Sequence, residues 1–219
     1  MKKGTKMAGA LAAAVLVVAL FLLCSARIAD VNAGYPPHGK VVYSKGEDVP
    51  FPAPAGNGGT EAVDGAAIRV TEEDIFSLDN VLVAYPDYSS PVLQSGQAHD
   101  MRLVVVSTTV RNDSENDEQL FFGQAVLQSG AWFNGIDQPL FSLLNGGAGV
   151  SQTLKPHEEE SVLLPFCMYD VQFGFHDTWA SIDHQSFELV LATYPDKVSI
   201  ELGTPGVGQS IGGIAHAAQ

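Results

Sequence analysis

Cysteine is nearly missing from this chain: Cys24 and Cys167 are the two in 219 residues. Cys24 falls inside an N-terminal apolar run, so the remainder has one thiol and no internal disulfide. Such a domain must hold itself together by its hydrophobic core, and at this length it can. Basic residues are also scarce, 11 Lys and Arg against 25 Asp and Glu. Residues 1–29 take four of the 11 (Lys2, Lys3, Lys6, Arg27) and no acid, leaving residues 30–219 with seven against 25, or −18. That balance excludes nucleic acid as a partner, because phosphates need Lys and Arg. It also argues against docking on an anionic membrane surface. Catalytic signatures are lacking too. No Gly-x-Ser-x-Gly turn is present, and no His pair has the i, i+4 spacing of a helical zinc site. Gly206, Gly208 and Gly212 do not follow the dinucleotide-loop spacing.

What is present begins at the N-terminus. Lys2, Lys3 and Lys6 precede an uncharged run over residues 7–26 (MAGALAAAVLVVALFLLCSA), closed by Arg27. A basic start and an apolar run mark an export signal or an anchor. The run matches the about 20 residues that a spanning helix needs, and the three lysines place its start in the cytoplasm. The expectation is a single-pass cell-membrane anchor with the rest of the chain extracytoplasmic. Secretion after cleavage, at Cys24-Ser25-Ala26 or Val31-Asn32-Ala33, stays open. Leu23 before Cys24 argues against lipid attachment.

Residues 30–66 read as a Pro/Gly-rich stalk, since prolines at 36, 37, 50, 52 and 54 alternate with glycines. Residues 67–203 read as the folded domain and 204–219 as a flexible tail. Within the domain the apolar segments are short and rich in Val, Leu and Phe: 79–85, 101–111, 119–127, 161–168, 187–194 and 197–202. Val104, Val106, Thr108 and Val110 alternate onto one face. Short helical turns are expected near 139–144 and 177–182. Period-two patterning broken by Gly, Pro, Asn and Asp predicts an all-β antiparallel sandwich of about 7–9 strands.

The run Leu154-Lys155-Pro156-His157-Glu158-Glu159-Glu160-Ser161-Val162-Leu163-Leu164-Pro165-Phe166 follows a Val-rich strand, an acidic turn and an aromatic strand. This order resembles bacterial extracytoplasmic telokin-like, immunoglobulin-type β-sandwich domains over about residues 75–202. Those domains use a Leu-x-Pro-Gly-Glu turn, and His157 stands where glycine is common. The resemblance implies a surface domain of undefined function and carries over no catalytic residue.

Candidate chemistry is sparse. Asp113, Glu115 and Asp117 give the turn 113–118 a calcium-loop composition. Its sixth position is Glu118 and its twelfth Gln124, which fails the hand-type pattern and favours a solvated turn. His157, His176 and His184 lie beside acids without ligand spacing. Cys167, within apolar residues 162–168, reads as a buried hydrophobe. Trp132 and Phe133, flanked by Gly and Asn, form either a recognition loop or a plug at the sandwich end. No cofactor is expected. The functional expectation is a non-enzymatic binding or envelope-structural module, joined to the membrane by its N-terminal helix, with an unknown envelope or protein partner. The alternatives are a hydrolase with a loop-built site and a calcium-stabilised surface module.

Overall fold

A computed structural model describes residues 17–30, 39–54, 60–173, 176–194 and 196–211. The chain divides into two units, Met1–His38 and Gly39–Gln219. In the first, residues 17–30 form helix α1, whose side chains are exposed. Among the described residues no helix is long and apolar enough to cross a membrane. Residues 7–16 of the expected span lie outside the described residues.

The second unit is mostly β. Its elements in order are β1 (Lys40–Ser44), β2 (Val49–Pro54), β3 (Thr60–Ser77), α2 (Leu78–Ala84), α3 (Pro91–Gln94), β4 (Met101–Asn112), β5 (Glu118–Phe121), β6 (Val126–Ser129) and β7 (Trp132–Gly135). There follow α4 (Gln138–Leu144), β8 (Ser151–Leu154), β9 (Glu159–Tyr169), α5 (His176–Ala180), β10 (Phe187–Ala192), β11 (Lys197–Gly203) and β12 (Gly206–Val207). One sheet has the order β1-β11-β10-β6-β7. A second has the order β12-β3-β4-β9, with β2 also on β3, and β5 pairs β8.

The main core is built from the inner faces of the two large sheets. Ile68, Val104, Val106, Leu164 and Phe166 come from one, and Leu127, Leu189 and Ile200 from the other. The predicted face of β4 is correct: Val104, Val106, Thr108 and Val110 are all buried. The opposite face of β4 and β9 is buried as well. Leu103, Val105, Leu163, Cys167 and Tyr169 pack there with Val81 of α2 and Leu140 and Leu144 of α4. Helices therefore form a third layer on one side of the sandwich. A strand buried on both faces shows no alternation of polarity, which is why 161–168 reads as a plain apolar run.

Four expectations need correction. Residues 79–85 were expected as a strand and form α2. Ser77 caps that helix, its Oγ accepting from the Asn80 N–H at 3.3 Å while Asn80 Oδ1 accepts from the Ser77 N–H at 3.1 Å. Such reciprocal capping satisfies otherwise orphaned amides. The expected stalk is folded where it is described: β1 pairs β11, and β2 with the start of β3 forms an antiparallel ladder. Proline is tolerated in β2 because β2 is an edge strand. The expected tail starts with β12, parallel to β3, and Ile211 is buried in the second core. The remaining residues of both segments, 31–38, 55–59 and 212–219, lie outside the described residues. Finally, the pairing is not wholly antiparallel, since β1–β11 and β12–β3 run parallel.

Candidate functional site

The face of the β1-β11-β10-β6-β7 sheet turned away from the core carries a cleft of about 640 Å³. Lys40 (β1), Lys45, Gln128 (β6), Glu188 (β10), Lys197 and Glu201 (β11) line it. Residues 30–219 contain four lysines, so three of the four converge here. Strand alternation explains the placement. Leu127, Leu189 and Ile200 fill the core, so the flanking Gln128, Glu188 and Glu201 project outward and face one another across the register.

The charges are arranged around Glu188. Its carboxylate accepts from Lys197 Nζ at 2.8 Å and from Lys40 Nζ at 3.0 Å. Lys197 also donates to Gln128 Oε1 at 2.8 Å. The Lys197 hydrogen bond, with that from Lys40, holds the Glu188 carboxyl below its ordinary value against a smaller opposing effect of burial. One carboxylate is thus shared by two ammoniums. Elsewhere the balance reverses: Arg102 meets both Asp100 and Asp183. Lys45 pairs with the buried Glu73 at 2.8 Å.

The expected recognition residues divide. Trp132 is half-buried and packs on Phe173, ring centroids 5.5 Å apart, and edge-on to Phe187 at 6.5 Å. It plugs the sandwich end, as large aromatics do. Phe133 is 67 % exposed and lies opposite Gln128 in the β6–β7 pairing, beside the lysine cleft. Sequence reasoning found this hairpin and missed the cleft. Lys40 and Lys45 lie more than 150 residues before Lys197, and the parallel docking of β1 on β11 brings them together.

The acidic turn is organised around Asn112. Asn112 is fully buried, and its Nδ2 donates to the carbonyls of Asn116, Leu154 and Lys155. Its Oδ1 accepts from the Ser114 N–H. Asp113 pairs with Arg111 at 2.9 Å and Glu115 with His157 at 3.3 Å. Asp113, Glu115 and Asp117 therefore do not converge, and no group of three or more His, Cys, Asp or Glu is placed to hold a metal among the described residues. The side chains of His176 and Asp177 lie outside that description.

Cys167 sits in a closed polar knot beneath α4. Tyr88 Oη donates to Asp137 Oδ2 at 3.1 Å and lies 3.6 Å from the thiol. Ser90 Oγ and Tyr169 Oη are 2.6 Å apart. Burial, then the Asp137 charge, pushes the Cys167 thiol up, and burial pushes the Tyr88 phenol up and that of Tyr169 to about 12. All three stay protonated at neutral pH. Since the thiolate is the nucleophile, this thiol serves packing rather than attack.

The domain architecture coincides with a known family. The model of the domain of unknown function DUF5028 matches residues 40–198, from the first strand of the cleft to β11. The chain belongs to this family. No curated protein matches it. Among solved structures, a functionally unknown protein from Listeria monocytogenes EGD-e is similar at 11 % identity and TM-score 0.42, covering 67 % of this chain and 80 % of that one. An uncharacterised β-sandwich protein from Clostridium difficile 630 is similar at 7 % identity and TM-score 0.37, covering 75 % of this chain and 97 % of that one.

Proposed function

We propose that this DUF5028 domain is a non-enzymatic binding module held outside the cytoplasm by its N-terminal segment. One observation carries the binding reading: an acidic domain gathers three of its four lysines around one open cleft of about 640 Å³. Two of them, Lys40 and Lys197, share the single carboxylate of Glu188, so ammonium groups are concentrated here in a chain of net −14. Charge of the minority sign concentrated in one concavity is what recognition of an anionic group requires. The basic start and apolar run of residues 2–26 support the tether. The two-sheet core supports the finer immunoglobulin-type assignment.

A photo-crosslinking residue at Gln128 of the full chain, in living cells, tests the binding reading. We expect one discrete adduct from Gln128 and none from the same residue at Ser95, an exposed position on the far side of the second sheet. No adduct at Gln128 overturns the reading. A C-terminal alkaline phosphatase fusion tests the address: activity is expected, and an inactive fusion retained in the cytoplasm contradicts it.

A further inference from the structure

Every sheet with an edge offers unpaired main-chain groups to another strand, and proteins blunt such edges. On the second sheet the edges at β9 and β2 are blunted. Along β9, Asn145 acts like a strand residue: its Nδ2 donates to the Leu163 carbonyl at 2.8 Å and its Oδ1 accepts from the Leu163 N–H at 2.9 Å. The Asp137 N–H takes the Pro165 carbonyl, and Asn134 Nδ2 takes the Cys167 carbonyl. Along β2, Pro50 and Pro52 have no N–H to offer, and the Pro52 carbonyl accepts from Gln124 Nε2.

β1 is treated differently. Its sequence KVVYS has no proline, it pairs with β11 alone among the described residues, and four of its five residues are exposed. The Gly39 carbonyl accepts from the Lys197 N–H, which turns Gly39, Val41 and Tyr43 toward β11. By alternation the main-chain groups of Lys40, Val42 and Ser44 face the open side. Ser44 is closed off, its N–H donating to Glu47 Oε2 at 2.9 Å, which leaves Lys40 and Val42 as the receptive stretch. The two faces beside that stretch differ. On one, Lys40 and Ser44 border the lysine cleft. On the other, Val41 and Tyr43 border a groove of about 240 Å³, walled by Pro50, Pro52 and Val198.

We infer that β1 accepts an extended peptide strand whose side chains alternate between apolar and acidic. The inference rests on the binding reading above and names its partner class. Strand addition draws affinity from main-chain hydrogen bonds and specificity from pockets for alternate side chains. Acidic side chains of the added strand meet Lys40 on β1 itself, whose ammonium shares the Glu188 carboxylate with Lys197 and keeps further N–H donors for a second carboxylate. Apolar side chains enter the groove under Val41 and Tyr43. Glu61 and Asp196 stand at that groove, so an acidic side chain is repelled there and the register is fixed.

The test uses the full chain in detergent and a fluorescein-labelled, end-blocked octapeptide of alternating valine and glutamate, read by anisotropy. Saturable binding is expected. Val42→Pro removes an outward N–H and leaves the β11 ladder intact, so it should weaken binding at least tenfold with an unchanged melting temperature. Lys40→Gln, which touches no main-chain bond, should weaken binding several-fold. A valine–lysine octapeptide should bind at least tenfold more weakly. Equal affinity of Val42→Pro and the unsubstituted chain, equal affinity for the lysine peptide, or no binding at millimolar peptide overturns the inference. The Gln128 adduct separates the two failures: if it forms while the peptide test fails, the cleft binds something other than an added strand; if it is absent, the binding reading falls.

Discussion

The edge strands β9 and β1 receive opposite treatment within one small domain. β9 is buried on both faces from Val162 onward, and its outer main-chain groups at Leu163 and the carbonyls of Pro165 and Cys167 are satisfied by Asn145, Asp137 and Asn134. β1 is exposed, and among the described residues the cover along its open side is Glu47 on Ser44. Burial dictates the first arrangement. An unpaired carbonyl or amide beneath α4 would cost about 1–3 kcal/mol, so side chains stand in for the missing strand. At β1 water can satisfy the same groups at little cost, so stability does not demand a cover. The difference teaches that the open edge is affordable only where the surface is already wet, and that is also where a partner can reach it.

The largest expected effect strikes the closed edge. Asn145→Ala removes both contacts to Leu163 and the bond from Asn145 Nδ2 to the Phe141 carbonyl. It should cost about 3 kcal/mol and create a second receptive edge. Urea unfolding measures the first, and concentration-dependent light scattering the second.

Two adjacent substitutions then split β1 itself. Val41→Pro deletes an N–H that faces β11, and should cost about 1–3 kcal/mol. Val42→Pro deletes one that faces solvent, and should stay within about 0.5 kcal/mol of the unsubstituted chain. Equal losses would show that the alternation assigned to β1 is wrong.

A change in the turn before β9, away from the covered stretch at Leu163–Cys167, serves as a control. His157 adopts φ +59° in the turn between β8 and β9, where the Glu158 N–H donates to the Lys155 carbonyl. That left-handed backbone suits glycine, so His157→Gly should stabilise the domain by about 0.5–1 kcal/mol without altering the behaviour of β1 or β9.

The smallest effect is one of pH at the cleft. Glu188 is held below its ordinary value in the fold by the Lys197 hydrogen bond. Its contribution is therefore complete above the unfolded carboxyl value of about 4.3 and fades as pH falls through the lower folded value. The melting temperatures of Glu188→Gln and the unsubstituted chain should differ most near pH 7 and converge in acid. A gap that widens in acid would contradict the assigned direction.

Much of the β framework was legible in the sequence because it obeys local rules. The alternation in 101–111 and the apolar run of 161–168 have physical counterparts in β4 and β9, and His157, which stands where the resembling domains commonly have glycine, adopts a left-handed φ. Local rules misread α2, although Ser77 and Asn80 carry the spacing of a helix cap. They are also mute on context. Val-Leu-Gln-Ser-Gly starts in a helix at 92–94, behind Pro91 and the Ser90 cap, and in a strand at 126–129, paired with β10. The cleft was illegible for a related reason. Lys40 lies in what composition reads as stalk, and its neighbour Lys197 comes 157 residues later, so only the sheet order brings them together. Prolines in β2 suggested disorder, whereas they mark an edge.

Residue-resolved amide hydrogen exchange on the full chain tests the central claim most directly. An open β1 edge predicts slow exchange at Val41 and Tyr43, whose N–H groups face β11, rapid exchange at Val42, and slow exchange at Leu163 under the Asn145 side chain. Protection of the Val42 amide equal to that of Tyr43 would mean that β1 is already covered, and would contradict the account.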